Sequence, residues 1–183
     1  NKQHKKLNKY NLNFSMNKIP DSELILNPDG SIFHLHLLPH QIGDIILLVG
    51  DPGRVEMVSK NFESIEHKVQ NREFATHTGY FNQKKVSVVS TGIGTDNIDI
   101  VINELDALVN IDLKERVAKK AHTPLKLVRI GTSGALQADI DVDSFVLSEY
   151  GLGMDGLLHF YKHHFKEEEE ILKNDKKGIV EVK

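Results

Sequence analysis

Leu47-Leu48-Val49-Gly50-Asp51-Pro52-Gly53-Arg54 decides the fold class, because an apolar strand ends there in a glycine-bearing turn that carries an arginine. Ile45 to Val49 is a β-branched and aliphatic run of the kind that becomes a buried strand, and Gly50 lets the backbone bend so that amide N–H groups point at a ligand. Arg54 adds a fixed positive charge with a planar fork of donors suited to phosphate. The pattern is neither the Gly-x-x-x-x-Gly-Lys-Ser/Thr loop nor a dinucleotide fingerprint. A second stretch, Leu125-Lys126-Leu127-Val128-Arg129-Ile130-Gly131-Thr132-Ser133-Gly134, repeats the arrangement with hydroxyls added. Ligands of open α/β sheets sit beyond the carboxyl ends of the strands, so both stretches can face one oxyanion. Taken singly, each leaves two readings open: an anion cradle, or turn glycines beside solvated surface arginines.

Working outward, strand-like and helix-like segments alternate, which predicts an α/β domain with a central mixed sheet flanked by helices. Val55 to Lys60 reads as a short helix whose glycine turn lies at its amino end, where anions are favoured. Phe74 to Phe81 alternates bulky and polar residues, Asn82 to Lys85 is a turn, and Val86 to Ser90 is a second strand, together predicting a hairpin. Gly92 to Asp96 supplies a loop and an N-cap. After it Ile98, Val101, Ile102, Leu105, Leu108 and Val109 recur at helical spacing, predicting a helix over 97–110. Lys114 to Thr123 reads as a charged surface connection before the strand at 125–130. Val142 to Tyr150 is expected to hold another short strand, and Leu157 to Leu172 to be helical. The acidic run Glu167 to Glu170 reads as a solvated helix face or a tail.

The chain of 183 residues, 39% hydrophobic and 27% charged, has ordinary globular composition and is long enough for one domain. A formal net charge of −3 gives no reason to expect nucleic acid as a partner. The absence of cysteine excludes disulfides and thiolate metal sites. The basic, Asn-rich start has no apolar core of signal-peptide length, and no later segment is apolar enough to span a bilayer, so a cytoplasmic location is expected. Residues 1–18 are expected to be a disordered or non-native extension, with Met16 as the natural initiator, and 19–183 to form the domain. His34, His36 and His40, and His159 with His163 at i,i+4 spacing, raise the question of a metal; no His-Glu-x-x-His pattern or other ligand set accompanies them, so none is expected.

Five ordered motifs together are more specific than any one. Phe33-His34-Leu35, Gly50-Asp51-Pro52-Gly53-Arg54, Arg72-Glu73-Phe74, Ser90-Thr91-Gly92-Ile93-Gly94 and Arg129-Ile130-Gly131-Thr132-Ser133-Gly134 resemble the nucleoside phosphorylases, above all the uridine phosphorylase branch, over residues 31–160. The resemblance implies phosphorolysis of a nucleoside, uridine first, to free base and ribose 1-phosphate, with inorganic phosphate as co-substrate and no cofactor. It also implies that Gly50, Arg54, Arg129 and Thr132 bind phosphate, with Arg54, Arg129 and Thr132 acting on the reacting group, and that Thr91 lies at the ribose. Arg72 is implied to reach the phosphate of a neighbouring subunit and His34 a neighbour's ribose 5′-hydroxyl. The protein is therefore expected to be a homo-oligomer built from dimers, up to a hexamer.

Taken without that resemblance, Arg72-Glu73 reads as a surface ion pair and His34 as a strand residue with a wet polar tip. Glu73 and Ile93 match positions that hold a monovalent cation at the dimer interface of some relatives. Asn97 stands where those relatives carry serine, and Gly94-Thr95-Asp96-Asn97 departs from the usual glycine, proline and serine there. Glu104 reads as a structural hydrogen-bond partner. The family's Met-Glu pair for the ribose hydroxyls, and its glutamine and arginine that read uracil, have no counterpart after Lys166. The expectation is thus the phosphate half of a site, with the C-terminal part missing. The alternatives are a purine nucleoside phosphorylase or nucleosidase of the same fold, or an inactive remnant that only binds anions or oligomerises.

Overall fold

The computed structural model describes residues 18–149, 151–153, 155–162, 164–175 and 181–182. Met16 and His163 lie outside them. The chain divides into two compact units, Asn1–Gly131 and Thr132–Lys183.

The first unit is built on a five-stranded sheet in the order β2-β3-β4-β1-β7. Its strands are β1 (Ile45–Val49), β2 (Ser64–Asn71), β3 (Phe74–Phe81), β4 (Lys84–Ser90) and β7 (Lys126–Arg129), and its helices are α1 (Gly53–Ser59) and α2 (Thr95–Asn110). β1 runs parallel to β4 on one side and to β7 on the other, whereas β2, β3 and β4 pair antiparallel. The sheet is therefore mixed, as the alternation of elements predicts.

The period-two alternation of side chains divides β1 between two cores. Ile46 and Leu48 pack with Val89, Val101, Leu105 and Leu108 in one apolar cluster, on the α2 side. Leu47 and Val49 pack with Val55, Val58 and Val88 in the other, on the α1 side. A strand covered on both faces has to be apolar throughout, which is why Ile45 to Val49 reads as a continuous run. The chain leaves β4 through α2, passes β1 and returns as β7 on its far side, so the C-terminal ends of β4, β1 and β7 meet where the strand order reverses.

Several boundaries differ from the expectations. β2 is a full strand that periodicity does not announce. It is an edge strand, exposed along most of its length, and its Glu66, His67 and Lys68 are the polar residues that guard a sheet edge. The β3–β4 turn is only Asn82-Gln83, both at positive φ (48° and 61°), the conformation that a two-residue hairpin demands. α2 begins at Thr95, with Gly94 at its N-cap and no side-chain cap, so Asp96 sits inside the first turn rather than capping it.

The expected surface connection at 114–123 is corrected at its centre. β5 (Ile111–Asp112) and β6 (Val117–Ala118) form a small hairpin that turns Arg116 inward, leaving it 9% exposed. Its Nε donates to the Ile19 carbonyl at 3.0 Å and lies 3.1 Å from an Asp21 carboxylate oxygen. Its Nη2 donates to the carbonyls of Pro20 and Leu24. Arg116 thereby ties the entering chain to the hairpin.

His77 on β3 meets the buried Ser59 of α1, Nδ1 to Oγ 2.7 Å. Burial, aided by the charge of Lys68, holds its pKa below the ordinary imidazole value against the opposing pull of Glu56.

The second unit contains β8 (Leu152–Gly153) paired with β9 (Glu181–Val182), a 3₁₀ turn at Leu157–Phe160 and α3 (Glu167–Asp175). The strand expected within 142–150 is not formed at 142–149. Val142, Phe145 and Leu147 are exposed there, and no neighbouring strand takes up their backbone groups. The helix expected over 157–172 is broken for the same segment of chain: the 3₁₀ turn ends at Phe160 and α3 starts only at Glu167. The four glutamates form the first turn of α3, where acidic groups complement the helix dipole, and Glu169 accepts the Lys166 backbone N–H at 2.7 Å.

Candidate active site

Backbone bonds draw the ends of β1, β4 and β7 together. Thr91 N–H donates to the Val49 carbonyl at 2.8 Å and Ile130 N–H to the Leu48 carbonyl at 2.8 Å, carrying the parallel ladder to its last rung on both sides of β1. Gly50 follows immediately. A Cβ on Gly50 would lie 3.9 Å from Nη2 of Arg129 and 3.8 Å from the Gly92 carbonyl oxygen, so the guanidinium lies over the bare backbone of the β1 turn. Gly131 makes room for the same group: a Cβ there would stand 2.2 Å from Nη1 of Arg129. Two glycines thus flank one guanidinium.

Arg129 has no carboxylate partner among the described residues, and neither do Arg54 and Arg72. Arg54 is half-buried in the first turn of α1, directly after the Gly50-Asp51-Pro52 turn. The one acid in that turn, Asp51, accepts the Gly53 N–H at 2.7 Å. Cationic donors on a glycine turn with no protein anion to neutralise them are suited to bind an exogenous oxyanion. Thr91 is fully buried, and its hydroxyl faces the carbonyls of Val49 and Gly92, so it is a clasp between β4 and β1 in this arrangement. Thr132 is an exposed residue of the second unit.

A second group of expected residues gathers at the β2–β3 hairpin. Arg72 occupies its tip at φ 55°, exposed, so the ion pair with Glu73 that a bare reading offers is not formed. Asn71, the residue before it, donates its side-chain amide to the His34 carbonyl at 2.8 Å, which brings the 33–35 turn to this hairpin although a long stretch of sequence separates them. His34 lies in a turn rather than along a strand. Its ring stands edge-on to Phe33 and Phe74, and Nδ1 is 2.7 Å from Oε1 of Glu104. Glu104 is the structural hydrogen-bond partner that its sequence position suggests, and the packing of α2 against the 33–35 turn shows which residues it holds.

Glu73 points the other way, accepting from the Asn97 amide at 3.1 Å. Gly92, at φ +68°, accommodates this pair: a Cβ there would lie 2.5 Å from Asn97 Nδ2 and 3.0 Å from Glu73 Cγ. One carboxylate oxygen of Glu73 is thus engaged by Asn97, and Ile93 is 94% exposed. Of the other histidines, His36 bonds Asp29 and His40 meets His67 edge-on. Among the described residues no group of three or more His, Cys, Asp or Glu is placed to hold a metal ion. No described helix is long and apolar enough to cross a membrane.

A family model described as "Phosphorylase superfamily" matches residues 44–176. The chain is 37% identical to a uridine phosphorylase of Treponema pallidum over 125 residues, 68% of this chain and 43% of that protein. It is 35% identical to a DeoD-type purine nucleoside phosphorylase of Oceanobacillus iheyensis over 118 residues, 63% of this chain and 44% of that one. Among solved structures, a Trypanosoma brucei nucleoside phosphorylase that shows uridine phosphorylase activity matches with a TM-score of 0.79 and 26% identity, covering 87% of this chain and 57% of that one. The chain spans somewhat under half the length of the curated relatives it matches.

Proposed function

The chain belongs to the phosphorylase superfamily, and from that premise we propose that its β1, β4 and β7 strand ends bind the inorganic phosphate that cleaves a nucleoside. The observation that carries the proposal is the unneutralised guanidinium of Arg129 lying over Gly50 at the meeting of parallel strands. In the proposed reaction a phosphate oxygen bonds to C1′ of the ribose as the C1′–N bond breaks, the base leaves with the bonding pair and takes up a proton, and ribose 1-phosphate remains. Arg54 and Arg129, with the Gly50 amide, hold the phosphate against the ribose, so placement and charge supply most of the rate. Positive charge developing on the ribose is offset by the dianion they position.

Asn71, the residue before Arg72 at the β2–β3 hairpin, holds the His34 carbonyl, and Arg72 has no carboxylate partner among the described residues. That link supports a shared task, which we assign to the phosphate and ribose 5′-hydroxyl of a neighbouring subunit in a homo-oligomer. Uridine is the proposed substrate, because uridine phosphorylases stand among the relatives at 29–37% identity. The likeness to a purine nucleoside phosphorylase makes a purine nucleoside the second reading. Cleavage of uridine assayed with and without phosphate tests the reaction class. Strict dependence on phosphate with ribose 1-phosphate as product is expected, whereas free ribose formed without phosphate would contradict it.

A further inference from the structure

We infer that Glu104 is the positioning residue for His34: its carboxylate fixes the imidazole as the Nδ1–H tautomer and leaves Nε2 bare, as a hydrogen-bond acceptor at the protein surface. The inference rests on the proposed reading that His34 serves a nucleoside site.

Glu104 projects from α2 with only 12% of its side chain exposed, and His34 keeps 27%. Both carboxylate oxygens are spent on one turn. Oε1 accepts the His34 backbone N–H at 2.9 Å and faces Nδ1 at 2.7 Å. Oε2 accepts the Leu35 N–H at 2.8 Å and lies 3.1 Å from the His34 nitrogen. Because an ionised carboxylate only accepts, Nδ1 has to carry the ring proton, and in the neutral ring Nε2 then has none. The Asn71 amide holds the carbonyl of the same residue, and two aromatic edges limit the ring's rotation. Burying a carboxylate is costly unless its bonds are made good, and a neutral side chain could cap this turn. What the carboxylate adds is a surface imidazole locked in direction and in tautomer. Nε2 is then suited to receive a hydroxyl proton, the group that a ribose 5′-position presents.

Glu104→Gln separates positioning from capping. The Leu35 N–H cannot change its role, so the glutamine oxygen must face it and the amide nitrogen must face the ring, which can accept only by shifting its proton to Nε2. Nitrogen-15 NMR of the histidine-labelled full chain, above the imidazole titration range, reads the tautomer directly. The wild-type His34 is expected as Nδ1–H and the Glu104→Gln ring as Nε2–H. A wild-type ring in the Nε2–H form, or a variant ring that keeps Nδ1–H, overturns the inference, and the wild-type spectrum decides alone if the variant does not fold. In phosphorolysis, the preference in kcat/KM for a nucleoside over its 5′-deoxy analogue is expected to fall about tenfold in Glu104→Gln. Unchanged preference despite a switched tautomer would overturn the assignment of Nε2 to that hydroxyl. An Nδ1–H ring in a protein that shows no phosphorolysis leaves the positioning standing and overturns the phosphorylase reading.

Discussion

Arg116, in the connection between α2 and β7, and Arg129, at the end of β7, meet opposite environments. Arg116 is buried, and its guanidinium is consumed by carbonyls of Ile19, Pro20 and Leu24 and by Asp21. Arg129 ends a strand on which every residue is exposed and lies over glycine with no carboxylate partner among the described residues. The contrast teaches that an arginine's task is read from what neutralises it. One whose donors are spent on its own chain holds the fold, and one left unneutralised at converging strand ends is suited to a ligand.

Replacing each by alanine should break the pair most visibly. Arg116→Ala removes a buried guanidinium and takes the donor from the Leu24 carbonyl and should cost about 2–4 kcal/mol of stability, while Arg129→Ala should stay within about 0.5 kcal/mol, both by denaturant unfolding. Equal losses would erase the distinction. A subtler change keeps Arg129 and moves it. The Cβ of Gly131→Ala would collide with Nη1, so the guanidinium must leave its place over Gly50 and phosphate affinity should fall about tenfold or more with folding stability little changed. The smallest effect concerns His77, distant from both arginines in role. Its pKa is depressed in the fold, so the unfolded chain binds more protons and stability falls as pH drops below about 6.5, through the folded value. Thermal unfolding from pH 7.5 to 5.5 should show a shallower slope in His77→Gln than in the wild type.

Much of the sheet is legible in the sequence because its strands obey rules that periodicity captures. β1, β3 and β4 are apolar or alternating runs bounded by turn residues, and α2 repeats its apolar face at helical spacing. β2 escapes because an edge strand is written in polar residues, and its identity comes from pairing with β3 rather than from its own pattern. The inward turn of Arg116 escapes for a similar reason: apart from Asp21, its partners are backbone carbonyls of residues 19–24, which carry no side-chain signal. At the candidate site, Gly50, Arg54 and Arg129 stand out as types and spacings. The clasp formed by Thr91, the Asn97–Glu73 bond and the hold of Glu104 on His34 depend on contacts between distant segments, which no local motif encodes.

Arg54 and Arg129 are proposed to form one oxyanion site at the ends of β1 and β7. Titration of the chain with inorganic phosphate by calorimetry tests it most directly, with Arg54→Ala, Arg129→Ala and Arg72→Ala in parallel. Saturable binding that is weakened about 100-fold by loss of either Arg54 or Arg129, and spared by loss of Arg72 in the isolated subunit, is the predicted result. Phosphate binding that survives the removal of both Arg54 and Arg129 would contradict it.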